Sequence, residues 1–418
     1  MVKRDEFLRI QERYRDALLK DCIPFWSKNG MDAEYGGMCT YLDREGKRYV
    51  SDKSVWLNGR AAWIFALLCK TYGEREEWKA AAYSCLDFLN RHCIDPADGR
   101  MYFSVTREGK PLRKRRYFFS ETFYTIANAQ AYRSFGDLQA LGTARKYYDF
   151  LMAMYDDPAA DPFKITPKVY AETRSGRAFA QPMILLNVTH EMRRCDPERA
   201  ELYESRGGSL TSDIFRYFYK EDFGVFLESV GPNGEFLADA AGGRTINPGH
   251  TIEGVWFLLN QAKLSGDAAL VRKAASIFDR ATELGWDERY GGILAFIDAL
   301  NFPPEQLEHD MKLWWPMTET LISAVMLYEM TGEAKYWDWF VKADAYSFER
   351  FADPAYGEWF GYLRRDGTPT DPPCKGNLFK GCFHVPRALL LVDACLGRLA
   401  DRAAQGSSGI NSAKRDHS

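Results

Sequence analysis

Apolar residues return every three or four positions through most of the chain, the spacing of a buried helix face. This spacing predicts helices near 6–27, 54–72, 75–92, 120–136, 138–155, 178–193, 197–219, 250–264, 267–284, 315–331, 333–351 and 382–400. A second pattern sits between them: a turn, one or two glycines, then a short aromatic-rich run. Five copies stand out, opening at Tyr35-Gly36-Gly37, Gly99-Arg100, Phe223-Gly224, Tyr290-Gly291-Gly292 and Tyr356-Gly357. Most are followed by a turn such as Arg107-Glu108-Gly109 or Pro232-Asn233-Gly234, which reads as a short β-hairpin. The copies recur at roughly 65-residue intervals with one double gap. That gap predicts a degenerate sixth copy near 161–176.

Twelve helices in six pairs, with hairpins between them, predict an all-α fold. The expected form is an (α/α)6 barrel of six helical hairpins with short β-hairpin loops at one mouth. An open solenoid is the alternative for stacked helix pairs. The aromatic hairpins favour closure, since in a ring they all meet at a common rim. No low-complexity linker divides the chain, so residues 1–401 are expected to form a single barrel domain. The tail 402–418, with Gln405-Gly406-Ser407-Ser408-Gly409, is expected to be disordered.

Bulk properties narrow the function. The net charge of −3 offers no electrostatic case for nucleic acid or an anionic membrane. The basic run Arg113-Lys114-Arg115-Arg116 is short and reads as a solvated loop. No stretch is apolar for long enough to span a bilayer. The nine cysteines are scattered, without a C-x-x-C pair, which points to free thiols in a reducing compartment and a cytoplasmic protein. Aromatic residues reach 15%, a composition that suits a cleft for sugar rings as well as helix packing.

Candidate chemistry gathers at helix starts. Asn247-Pro248-Gly249-His250-Thr251-Ile252-Glu253 delivers one of six histidines to a first helical turn, with Glu253 three residues on and on the same face. Read alone, Glu253 there is also a helix-dipole partner. Lys380-Gly381-Cys382-Phe383-His384-Val385-Pro386-Arg387 repeats the arrangement, with His384 and Arg387 sharing a face. Lys312-Leu313-Trp314-Trp315 with Glu319 offers an indole face and an acceptor. Arg60 lies within an apolar helix and points into a barrel lumen or, alternatively, into a buried ion pair. Glu121, Glu172 and Ser120 are further lumen candidates. His190 reads as a core or surface group. No zinc spacing and no nucleotide-binding glycine motif occurs, so neither a metal nor a cofactor is expected. Two histidines, an arginine and carboxylates suit proton transfer near neutral pH, where imidazole titrates.

Those motifs, together with Asp353-Pro354 and Tyr356-Gly357-Glu358-Trp359-Phe360-Gly361-Tyr362-Leu363, resemble the N-acylglucosamine 2-epimerases. Cellobiose 2-epimerases and aldose–ketose isomerases form the wider group, and the likeness runs from Phe25-Trp26 to about Leu399. It implies a homodimeric (α/α)6 barrel that interconverts N-acetylglucosamine and N-acetylmannosamine, with ATP as an effector and not a reactant. It also implies catalytic roles for His250, His384, Glu253 and Arg60, and substrate contacts from Glu319, Trp315, Arg387 and Glu121. Asn58-Gly59-Arg60 departs from the family's Gln-Gly-Arg or Gln-Asn-Arg, which puts the sugar contact at position 58 in doubt. The rivals are an aldose–ketose isomerase or epimerase on an unsubstituted sugar such as mannose, and a glycoside hydrolase using Glu319 with Glu121 or Glu172.

Overall fold

The computed structural model describes residues 2–114, 118–157 and 175–413. Twelve long helices stand among them. The first, α1, runs through Arg4–Asp16 and continues by a π-turn, Ala17–Cys22, into Ile23–Asn29. Then follow α2 (Val55–Tyr72), α3 (Glu76–His92), α4 (Phe119–Phe135) and α5 (Leu138–Asp156). Next come α6 (Ala180–Cys195), α7 (Ala200–Asp213, prolonged by Ile214–Phe218), α8 (Pro248–Ser265) and α9 (Ala268–Gly285). The last three are α10 (Trp314–Thr331), α11 (Ala334–Arg350) and α12 (His384–Ala413).

The even-numbered helices form an inner ring. Each packs on the next, α2 on α4, α4 on α6, and so on round to α12. Phe383, just before α12, closes the circle against Trp63 of α2 at 5.7 Å and Phe123 of α4 at 5.7 Å. Inner helices are buried on nearly all sides, as in α4, where every residue from Ser120 to Ala131 is buried. Outer helices bury one stripe only, as α9 does with Ala274, Ile277, Phe278 and Ala281. The outer partner of α12 is α1, so the two ends of the chain are clasped together. Gly59 lets α2 approach α4, because a Cβ there would lie 2.9 Å from the Phe123 carbonyl.

The expected helices are present within a few residues at most ends. The last one runs well past 400: α12 continues to Ala413, and Arg402 bonds the Glu329 carbonyl and carboxylate. Most of the expected sixth hairpin, together with Glu172 and residues 115 and 116 of the basic run, lies outside the described residues.

The hairpins differ from expectation in how they pair. The predicted glycine turns are present, and Gly36, Gly99, Gly291 and Gly357 in them are left-handed. The strands, however, mostly join neighbouring repeats. Lys53–Ser54, which leads into α2, pairs with Ser104–Val105 of the next repeat, and Lys312–Leu313 pairs with Tyr362–Leu363 in the same way. Two-residue strands are too short to hold a free-standing hairpin, so each leans on the next.

Ion pairs repeat the same stitch. Asp32, Asp287 and Asp353 each open a turn, and each bonds a fully buried lysine from the segment before the next inner helix: Lys53, Lys312 and Lys375. Each also takes an arginine from the following hairpin: Arg107 on Asp32, Arg365 on Asp287, and Arg44 on Asp353. Asp95 uses Lys114. Burial alone would raise the pKa of Asp287 and Asp353, but the bonds from Arg365, Lys312, Arg44 and Lys375 bring both down to about 2. A depressed carboxylate contributes stability above its unfolded value of about 4 and loses it as pH falls through the folded one. Urea unfolding between pH 5 and pH 2 should therefore show stability dropping mainly below about pH 4. Asp287→Asn should cost roughly 3 kcal/mol at pH 7, because it strands Lys312, and should flatten that acid limb.

Candidate active site

The hairpin mouth of the lumen is where the inner helices begin, and their first turns supply the candidate side chains. Asn247 caps α8 by accepting from the His250 backbone N–H at 3.0 Å, and Pro248 fits the first helical position. Gly249 is required because a Cβ there would sit 2.7 Å from the Trp315 ring. That close approach brings His250 onto the Trp315 indole, ring centroids 4.9 Å apart. His384, at the start of α12, lies against the same indole at 6.0 Å. The two histidines are thus brought together around one tryptophan.

Each imidazole is held by its own carboxylate. His250 Nδ1 bonds both oxygens of Glu228, at 2.9 and 3.0 Å. His384 Nδ1 bonds Glu319 Oε1 at 2.9 Å. With Nδ1–H donated to a carboxylate, the Nε2 lone pair is left for a proton. Their charge environments differ. Burial lowers the pKa of His250, but the Glu228 carboxylate outweighs it and leaves the group above its ordinary 6.5. Burial, then the cations Arg387 and Arg60, hold His384 well below 6.5.

Beneath the histidines lies a buried polar layer. Glu319 is fully buried and accepts from Arg387 Nη2 at 2.7 Å and Trp256 Nε1 at 2.8 Å as well as from His384. Arg387 Nη2 also bonds Glu253 at 2.8 Å, so one guanidinium ties α8, α10 and α12 together. Glu253, Glu319 and His384 offer ligand atoms within 4.8 Å of one another. The Arg387 guanidinium already stands among them, bonded to both carboxylates, and supplies the positive charge such a set calls for. Arg60 makes no ion pair with a described residue. Its guanidinium rests on the rings of Phe123, Phe383 and Trp56, at 4.0, 4.7 and 5.1 Å, and its Nε has no partner. Burial and the like charge of Arg387 lower its pKa to about 9, still cationic at neutral pH.

Glu121 is placed elsewhere. It is spent on Arg100 Nε at 2.7 Å and the Met101 backbone N–H at 3.1 Å, beneath the second hairpin. Asn58 is buried, and its amide bonds Ser54 and Met38, so the family departure there falls on a hairpin clamp and not on the lumen. His190 is a core group, bonded to Gln261 and lowered by burial to about 4. Sequence reasoning misses Glu228 and Trp256 as site residues. For Glu228 the available signal is a lone charge in the apolar run Val225-Phe226-Leu227-Glu228-Ser229-Val230.

A closed ring of helix pairs presenting acid–base groups and aromatic faces at one mouth is the frame of a carbohydrate isomerase. The chain belongs to the N-acylglucosamine 2-epimerase family, whose sequence profile, N-acylglucosamine 2-epimerase (GlcNAc 2-epimerase), matches residues 36–383. It is 36% identical over 415 residues to the N-acylglucosamine 2-epimerase of Bos taurus, covering 98% of this chain and 96% of that one. The Homo sapiens enzyme of the same name is 35% identical over 411 residues, with 97% and 94% covered. Among solved structures, the cellobiose 2-epimerase of Spirochaeta thermophila superposes with a TM-score of 0.81 at 18% identity, covering 94% of this chain and 98% of that one. The last likeness concerns the fold alone.

Proposed function

We propose that the protein interconverts N-acetylglucosamine and N-acetylmannosamine without a cofactor, one histidine removing the C2 proton and the other returning a proton to the opposite face. The observation that carries this reading is the pair of imidazoles on Trp315, each backed by its own carboxylate and biased in opposite directions. The pyranose first opens to the aldehyde, which acidifies C2–H. His384, neutral at pH 7, takes the proton at Nε2, and the electrons pass into the C1 carbonyl to give an enolate whose C2 carries the acetamido group. Arg60, cationic and without a carboxylate partner among the described residues, stabilises the oxyanion. His250, as imidazolium, returns a proton to the opposite face of C2. The reverse reaction exchanges the two roles. We extend the reading to a single barrel domain, a cytoplasmic homodimer and ATP as an effector only.

Incubation with N-acetylmannosamine in deuterium oxide tests it. N-acetylglucosamine carrying deuterium at C2 is expected, because the returned proton comes from an exchangeable imidazolium. A ketose product would assign the protein to the aldose–ketose isomerases instead.

The opposed biases also set a pH profile. Activity in this direction needs neutral His384 and charged His250. The acid limb of kcat/KM should therefore lie well below pH 6.5 and the alkaline limb above it. Glu228→Gln removes the charge that raises His250, so the alkaline limb should move toward acid while the acid limb stays. An alkaline limb unmoved by Glu228→Gln would remove His250 from the acid role.

A further inference from the structure

The lumen has a second end. Below the layer of Trp256, Phe383 and Arg387, a cavity of about 480 Å³ opens among the six inner helices, at the end away from the hairpins. That volume is within the range of small-molecule sites. Trp63 and Trp256 line its inner end, and Met326 and Met330 contribute apolar wall. Its rim is basic, with Arg133, Arg194, Lys263, Arg398 and Arg402 against the two carboxylates Glu191 and Glu329.

Those carboxylates are already committed. Glu191 bonds Arg194 at 2.6 Å and the Trp63 indole N–H at 3.3 Å. Glu329 takes both Arg398 and Arg402. Arg133 and Lys263 form no ion pair with a described residue and, with the second arginine on Glu329, leave the rim net positive. Helix C-termini favour cations, which accounts for basic residues at these ends. It does not account for an aromatic-ended cavity beneath them.

We propose that this far mouth is a second binding site, for a small organic anion whose apolar body enters the lumen and whose charged head stays among Arg133 and Lys263. The site is separated from the histidines by the Trp256–Phe383–Arg387 layer. A bound anion touches the underside of the same Arg387 that grips Glu253 and Glu319, so it adjoins the catalytic layer without entering the cleft.

The test uses 1-anilinonaphthalene-8-sulfonate with the full-length folded protein, read by its own fluorescence and by energy transfer from tryptophan. Saturable binding at one site is expected. Arg133→Glu with Lys263→Glu should weaken it roughly tenfold or more, and the milder Lys263→Gln by a smaller factor, with far-ultraviolet circular dichroism and epimerase rate unchanged. N-acetylmannosamine should not displace the probe, because the two ligands enter from opposite mouths. Equal probe affinity in the Lys263→Gln and charge-reversed proteins and the parent overturns the proposal. Displacement by the sugar, or by inorganic phosphate at matching concentration, overturns it as well: the first places the probe in the catalytic cleft, the second reduces the site to surface charge. Probe binding is read without turnover, so it stands or falls apart from the epimerase reading.

Discussion

Replacing either His250 or His384 with asparagine should lower kcat by about 10²–10⁴-fold, the usual contribution of a positioned acid or base. KM should change little, since each ring acts on a proton and not on sugar binding. The two losses should fall short of multiplying in the double variant, because the residues serve one proton relay. A sharper readout comes from isotope exchange. In His250→Asn, neutral His384 still abstracts the C2 proton of the epimer that faces it and returns deuterium from solvent to the same face. That epimer should therefore exchange at C2 without inverting, and His384→Asn should do the same for the other epimer. Both variants exchanging the same epimer would refute a two-sided arrangement.

The second large effect belongs to Glu319. Four donors, from Arg387, Trp256, His384 and the Thr318 hydroxyl, converge on this fully buried carboxylate. Glu319→Ala takes one of two carboxylates from the buried Arg387 guanidinium, leaving it Glu253 alone, and strands the Trp256 indole N–H, a loss of roughly 3 kcal/mol. The loss should appear as a shifted urea midpoint together with a collapse of kcat, because His384 loses the acceptor that orients it. Glu319→Gln keeps an amide oxygen for one donor and should fall between the parent and Glu319→Ala in stability. It also removes the negative charge next to His384, which already lies low, so base strength should not recover. An unshifted midpoint in Glu319→Ala would show that the buried layer does not brace the barrel.

What could be read before the fold was known follows from the range of the interactions involved. Helices and glycine turns declare themselves within about ten residues, and so do His250 with Glu253 and His384 with Arg387, each pair set by one helical turn. The match of Gly249 to the Trp315 ring is a contact between α8 and α10, and nothing local announces it. Glu228 lies 22 residues before the histidine it charges, across a loop whose course no periodicity encodes. Asn58 and Glu121 show the converse. Both sit at the starts of inner helices, where lumen residues also sit, yet a rotation of one position along the helix sends each to a hairpin instead. Nor could the opposite biases of the histidines be foreseen. They arise from which cations and carboxylates the closed ring sets beside each imidazole.

The stitches around the hairpin mouth bear on how the barrel holds together. Arg44 and Asp353 are 309 residues apart, and their pairing joins the first hairpin to the last. A linear repeat array can shed a terminal unit and lose only one interface. Here each repeat has a neighbour on both sides, so fraying at either end opens a seam that runs to the pocket itself, with α12 and His384 on its edge. Such a molecule has no expendable end. Its repeats are joined as staves are in a cask, and the hoop transmits strain at any one seam to all six.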